Sequence, residues 1–275
     1  MEITSDRVIS EATGSKKTGF WQTLFIISIV VAITISESIF AYFNVAYGIV
    51  ISLALVIIIY LMISLVKFDR STINASESLV LIPLYILFTA SLPWFFINQQ
   101  YLLPAVYSCI LALCLWHVYQ KRLSLKEIFG LHREHWLKKD VLTGLMLGIP
   151  LGTAEYLILR PAPAFPDFQV VYLLRDAVYM IGFVGIGEEL LFRGLIQRDL
   201  INAFGVNWGI TVASFLFAVM HLTWRSVPEL GFVFLAALIL GRLYQRTNCL
   251  MAPIIAHGVN NIMLVAVLPY LLHLS

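Results

Sequence analysis

Long apolar runs alternate with short polar breaks along the whole 275-residue chain. A helix needs about twenty predominantly apolar residues to cross ~30 Å of hydrocarbon. Runs of that kind lie near 20–42, 47–66, 79–96, 101–119, 141–159, 170–198, 208–222, 230–244 and 250–270. The pattern predicts an all-α polytopic transmembrane bundle of about eight or nine helices. Full crossing is left open for the first run and for the short 208–222 run.

The breaks carry their own signals. The loop 160–169, RPAPAFPDFQ, has three prolines that block helix continuation and predicts an ordered external turn. Gly144, Gly148 and Gly152 repeat every fourth residue around Pro150, a flat stripe that lets helices approach closely in lipid. The longest polar connection, 120–140, mixes bases with Leu, Ile, Phe and Trp. It suits an interfacial amphipathic helix and predicts a boundary between an accessory part, 1–122, and a part carrying the chemistry, 123–275.

Composition agrees with a membrane solvent. Sixty per cent of residues are hydrophobic and twelve per cent charged, whereas soluble domains carry about 25% charge. A net charge of +2 gives no footing for a nucleic-acid partner, and the lipid bilayer is the partner expected. With the N-terminus inside, only Arg160, Arg175 and Arg225 of the 18 Lys and Arg fall outside, a strong positive-inside bias. The first nineteen residues are polar and lack the apolar core of a cleavable signal peptide. A multi-pass plasma-membrane protein with a cytoplasmic N-terminus is expected. Cys109, Cys114 and Cys249 cannot all pair, and no disulfide framework or Cys-rich metal site is read from them.

Against this background the charges inside apolar runs stand out, since ionised groups there are costly and usually functional. Gly187–Gly194 (GEELLFRG) places Glu188, Glu189 and Arg193 in one run. Glu189 and Arg193 are spaced i, i+4 with the acid N-terminal, the better order for a pair. Glu188, turned roughly 100° away on a helix, is free for another task. Phe217 and His221 share one helical face of the next run, and His257 and Asn261 share one face of the last. Counted from their inner ends, Glu188 and His221 each lie roughly 20 Å deep, His257 and Asn261 roughly 10 and 16 Å. The four side chains are expected to converge on one cavity opening to the cytoplasmic side. Glu37 and Glu155 are read as reaching the interface or a base such as Arg160, and His132 and His135 as solvated surface residues.

A carboxylate and an imidazole sharing a water form a general base. A second imidazole and a carboxamide can donate to a developing oxyanion. Together they suit amide hydrolysis by water. No Ser or Cys nucleophile with a base appears in these helices, Ser214 lying a different turn from His221. Glu188, His221 and His257 could instead ligate zinc, although Asn261 would be a poor ligand, and the metal-free version is favoured.

EExxxR (Glu188, Glu189, Arg193), FxxxH (Phe217, His221) and HxxxN (His257, Asn261), in this order, resemble the CPBP family. That family includes type II CAAX prenyl endopeptidases and the bacterial Abi or bacteriocin-immunity proteins. Gly241–Thr247 followed by Ala252-Pro253 is similar too, so the resemblance covers about 175–268. It implies an intramembrane endopeptidase of the glutamic type acting on a membrane-anchored protein or peptide. Glu188 and His221 would activate water, His257 and Asn261 would hold the oxyanion, and Glu189 and Arg193 would support them. No cofactor is expected, with zinc the alternative. A non-catalytic immunity or scaffold protein, or a transporter using these groups as a proton relay, would use the same residues differently; no inverted repeat supports the transporter.

Overall fold

The computed structural model describes residues 18–131 and 136–272; His132 and His135 lie outside them. Among the described residues there is no strand, and nine helices are long and apolar enough to cross a membrane. We number them α1 (Phe20–Tyr42), α2 (Val45–Leu65), α3 (Arg70–Ala90), α4 (Leu102–Gln120), α5 (Trp136–Leu159), α6 (Val170–Phe204), α7 (Val206–Val219, its span carried on to Trp224 by a short 3-10 turn), α8 (Val227–Thr247) and α9 (Met251–Leu272). The outward faces are apolar and exposed, as at Trp21, Leu53, Trp116, Leu142 and Trp208. In water such a surface would be a liability; in lipid it is the solvent-facing side. The protein is a multi-pass membrane helix bundle.

Local chemistry sets the helix ends. Asn44 accepts the Tyr47 amide at 3.2 Å and starts α2. Asp69 accepts the Thr72 amide at 2.7 Å and the Ser71 hydroxyl at 2.9 Å and starts α3, a side-chain cap that satisfies an otherwise orphaned donor. Partial burial pushes the Asp69 carboxyl up, but these bonds outweigh it and hold it below the usual carboxylate value. This cap explains why α3, which runs to Ala90, begins as early as Arg70, where hydropathy alone predicts 79–96. Its first turns, RSTINASE, look polar, yet Thr72, Ala75, Ser76 and Ser78 are buried. Ser76 donates to the Thr72 carbonyl at 2.8 Å and Ser78 to the Ala75 carbonyl at 3.1 Å, while the Thr72 hydroxyl donates across to Gln22 of α1 at 3.2 Å. Gly205, at φ 83°, lets the chain turn directly from α6 into α7.

Packing is closest where the glycine stripe lies. α5 runs along α9. A Cβ on Gly144 would sit 2.7 Å from the Ile255 Cβ, and one on Gly148 would sit 2.6 Å from the Ala256 carbonyl oxygen. Neither distance is sustainable, so the helices meet backbone to backbone. α6 is not a plain helix. Two stretches of wide, π-type turns, Val178–Gly185 and Leu190–Gln197, flank the regular turn Ile186–Glu189. Such turns are frequent at functional sites, and here they bracket the paired glutamates.

The front and back parts share one apolar core, in which Ile26 and Leu79 belong to the same cluster as Leu195 and Leu250. Polar ties cross the same boundary. Thr18 donates to the Ala203 carbonyl at 3.0 Å and Arg225 to the Ala41 carbonyl at 2.7 Å. Lys121 pairs with Glu77 and donates to Asn74 at 3.1 Å, fixing α4 to α3. The described part of 120–140 is no long amphipathic helix. It holds the short helix Leu125–Ile128, whose Ile128 is buried under Gly194, and the first turn of α5 from Trp136. Glu37 and Glu155 do not reach an interface either; both are buried, at 3% and 7% exposure.

Candidate active site

The Glu189–Arg193 pair forms as the spacing predicts. Arg193 Nη1 donates to Glu189 Oε1 at 2.9 Å, with the two side chains 2% and 0% exposed. Arg193 also donates to the Ala237 carbonyl at 3.4 Å, and its guanidinium lies 4.5 Å from the Phe217 ring centroid. The same oxygen, Glu189 Oε1, also meets His257 Nδ1 at 2.8 Å. Arg193, Glu189 and His257 thus form a buried chain from α6 to α9 that fixes the imidazole in place. With Nδ1 on the carboxylate, His257 aims Nε2 toward Glu188 Oε2, 3.7 Å away.

Glu188 is held from a direction that no motif indicates. Tyr107 of α4 donates its hydroxyl to Glu188 Oε1 at 2.5 Å. The ring of Tyr107 also lies against Gly187, 3.3 Å from where a Cβ would stand, so the small residue before Glu188 makes room for it. Glu188 Oε2 is buried without a hydrogen-bond partner, His257 Nε2 standing 3.7 Å from it, while the side chain keeps 13% exposure. One oxygen is anchored and the other is available.

His221 departs from the helical picture. α7 stops at Val219, and His221 sits in the turn that follows. Its link to Phe217 survives in another form. His221 Nδ1 lies 2.8 Å from the Phe217 carbonyl oxygen, and the two rings stand 4.9 Å apart. A carbonyl can only accept, so Nδ1 carries the proton and Nε2 is left as the basic nitrogen. Phe217 is the plate the site leans on: its ring also meets His257 at 5.7 Å and Phe192 at 4.9 Å.

Asn261 accepts from the Asn260 amide at 3.2 Å, which leaves its own NH2 free to donate. Asn260 donates in addition to Glu155. Glu155 therefore turns inward to α9 instead of outward to Arg160. Glu188, His221, His257 and Asn261 all line one cavity of about 190 Å³, together with Glu155, Asn260 and apolar walls such as Leu151 and Val184. As donors, Glu188, His221 and His257 are of a type zinc accepts. Among the described residues, however, no three His, Cys, Asp or Glu side chains are grouped as one ion would require.

The cavity, its carboxylate, its imidazoles and its amide define a candidate hydrolytic centre inside a membrane bundle. Residues 170–263 match the family described as type II CAAX prenyl endopeptidase Rce1-like. The matched stretch is about a third of the chain; it begins with α6 and ends just beyond Asn261, and it indicates a peptidase of the CAAX-protease kind. No curated protein and no solved structure matches the chain.

Proposed function

We propose that this protein is an intramembrane endopeptidase of the glutamic type, cutting a peptide bond in a membrane-anchored or membrane-associated protein or peptide. The observation carrying this reading is that Glu188 of α6, His221 of the turn after α7, and His257 and Asn261 of α9 line one cavity. A water between Glu188 Oε2 and His221 Nε2 loses a proton to the carboxylate as its oxygen attacks the carbonyl carbon. The carbonyl oxygen, now negative, takes hydrogen bonds from Asn261 Nδ2 and His257 Nε2. His257 Nδ1 already donates to Glu189, so donation from Nε2 requires the ring to carry both protons. Two glutamates, one arginine and one imidazolium then sum to no net charge, the condition a buried cluster needs. Glu188 finally returns the proton to the leaving amine as the C–N bond breaks. Tyr107 keeps Glu188 oriented throughout.

The basic residues favour an orientation with the N-terminus in the cytoplasm. The test is cleavage of membrane-anchored peptides by the purified protein in liposomes, with and without a chelator. Glu188→Gln and His221→Ala are expected to lower turnover by about 10²–10⁴-fold, the usual worth of a general base, with melting temperature retained. Cleavage by wild type should survive chelation. Full activity in Glu188→Gln would remove the glutamic reading, and loss on chelation, restored by zinc, would replace it with the metal one.

A further inference from the structure

The cavity described above is one of two that meet at Glu188. The second, of about 220 Å³, is lined by Tyr85, Ile110, Met220 and Thr223 and by residues it shares with the first. Tyr107, Glu188, His221 and Trp224 border both. His257 and Asn261 border only the first, Tyr85 and Thr223 only the second. The groups that would hold an oxyanion therefore face only the first cavity, while Glu188 and His221, which would hold the water, face both. Thr223 and Trp224 are exposed in the turn after α7, so the second cavity reaches the surface there.

Hydrolysis consumes one water per turnover, and a peptide filling the first cavity would drive water out of it. We propose that the second cavity is a water chamber, feeding Glu188 and His221 from the side away from His257 and Asn261. This rests on the hydrolase reading. The lining offers the polar partners a buried water needs: the hydroxyls of Tyr85 and Tyr107, His221 Nε2, and Glu188 Oε2, which has no hydrogen-bond partner. At about 30 Å³ of liquid volume per molecule, several waters fit. One of them gives a proton to Glu188 and its oxygen to the acyl carbon, and the amine departs with the proton. The chamber can then refill while product still occupies the first cavity.

The test uses the full chain in lipid nanodiscs. Thr223→Phe narrows the exposed mouth without burying a polar atom, and Thr223→Val removes the hydroxyl at nearly constant volume. Thr223→Phe is expected to lower kcat about tenfold or more with KM within about twofold, the split that marks a step after substrate binding. Thr223→Val should stay near wild type. X-ray hydroxyl-radical footprinting, which labels side chains beside ordered water, gives a readout independent of cleavage. Tyr85 and Met220 should be oxidised in wild type and several-fold less in Thr223→Phe. Unlabelled Tyr85 and Met220 in wild type overturn the proposal. So does unchanged kcat in Thr223→Phe, or a raised KM at constant kcat, which would make the cavity a substrate site. A wild type that cleaves nothing, yet shows labelling that Thr223→Phe suppresses, would support the water assignment while refuting the hydrolase reading.

Discussion

Removing Arg193 while leaving Glu189 in place should be among the costliest single changes in the bundle. The pair is 2.9 Å apart, with side chains 2% and 0% exposed. At an effective dielectric constant of about 20 the attraction amounts to about 6 kcal/mol. Most of that offsets the desolvation of the two ions. Arg193→Met keeps the apolar stem but strands a buried carboxylate, which costs about 3–5 kcal/mol. Loss of the contact over Phe217, at 4.5 Å, adds about 1 kcal/mol. The double variant Glu189→Leu/Arg193→Met removes both charges. It should sit within about 2 kcal/mol of wild type, the residue being mainly the acceptor lost by His257 Nδ1. Unfolding by sodium dodecyl sulfate in mixed micelles, followed by circular dichroism, measures Arg193→Met, Glu189→Leu and the double variant in one cycle. Additive penalties, or an Arg193→Met cost below about 1 kcal/mol, would refute the reasoning, because either would mean the pair is not desolvated and coupled.

Two further outcomes follow from contacts already described. Tyr107→Phe removes one hydrogen bond to a carboxylate, worth about 1.5–3 kcal/mol. In the cleavage assay it should lower kcat about tenfold or more at near-constant KM, and an unchanged kcat would show that Glu188 needs no anchor. Gly152→Val should destabilise the bundle by about 1–3 kcal/mol or more, because a Cβ there would lie 2.6 Å from the Met263 Cβ. A neutral effect in the same micelle titration would show that α5 and α9 can part without cost.

The residues that could be found in the sequence share a trait: they are polar where the local pattern demands apolar. Glu188, Glu189, Arg193, His257 and Asn261 break long hydrophobic runs, and helix spacing alone pairs Glu189 with Arg193. Spacing could not show that α7 ends before His221, because Met220–Trp224 carries no glycine or proline to mark a stop. Nor could it reveal Tyr107. A tyrosine in a membrane helix is ordinary, and its partner lies 81 residues away. The only trace is Gly187, whose missing side chain accommodates the Tyr107 ring. Glu155 failed for the opposite reason. Its position near a helix end looked like solvent access, while its neighbour Asn260 points inward from a different helix. The early start of α3 was hidden because buried hydroxyls that bond their own backbone count as polar on any hydropathy scale.

Tyr107 lies outside residues 170–263, the stretch by which this kind of peptidase is recognised. A fragment trimmed to that stretch, or begun at residue 123, would keep every motif and still leave Glu188 Oε1 without its donor. Any attempt to shrink this molecule to a minimal peptidase, or to move its motif helices onto a new scaffold, must therefore bring along a hydroxyl that the motifs never mention.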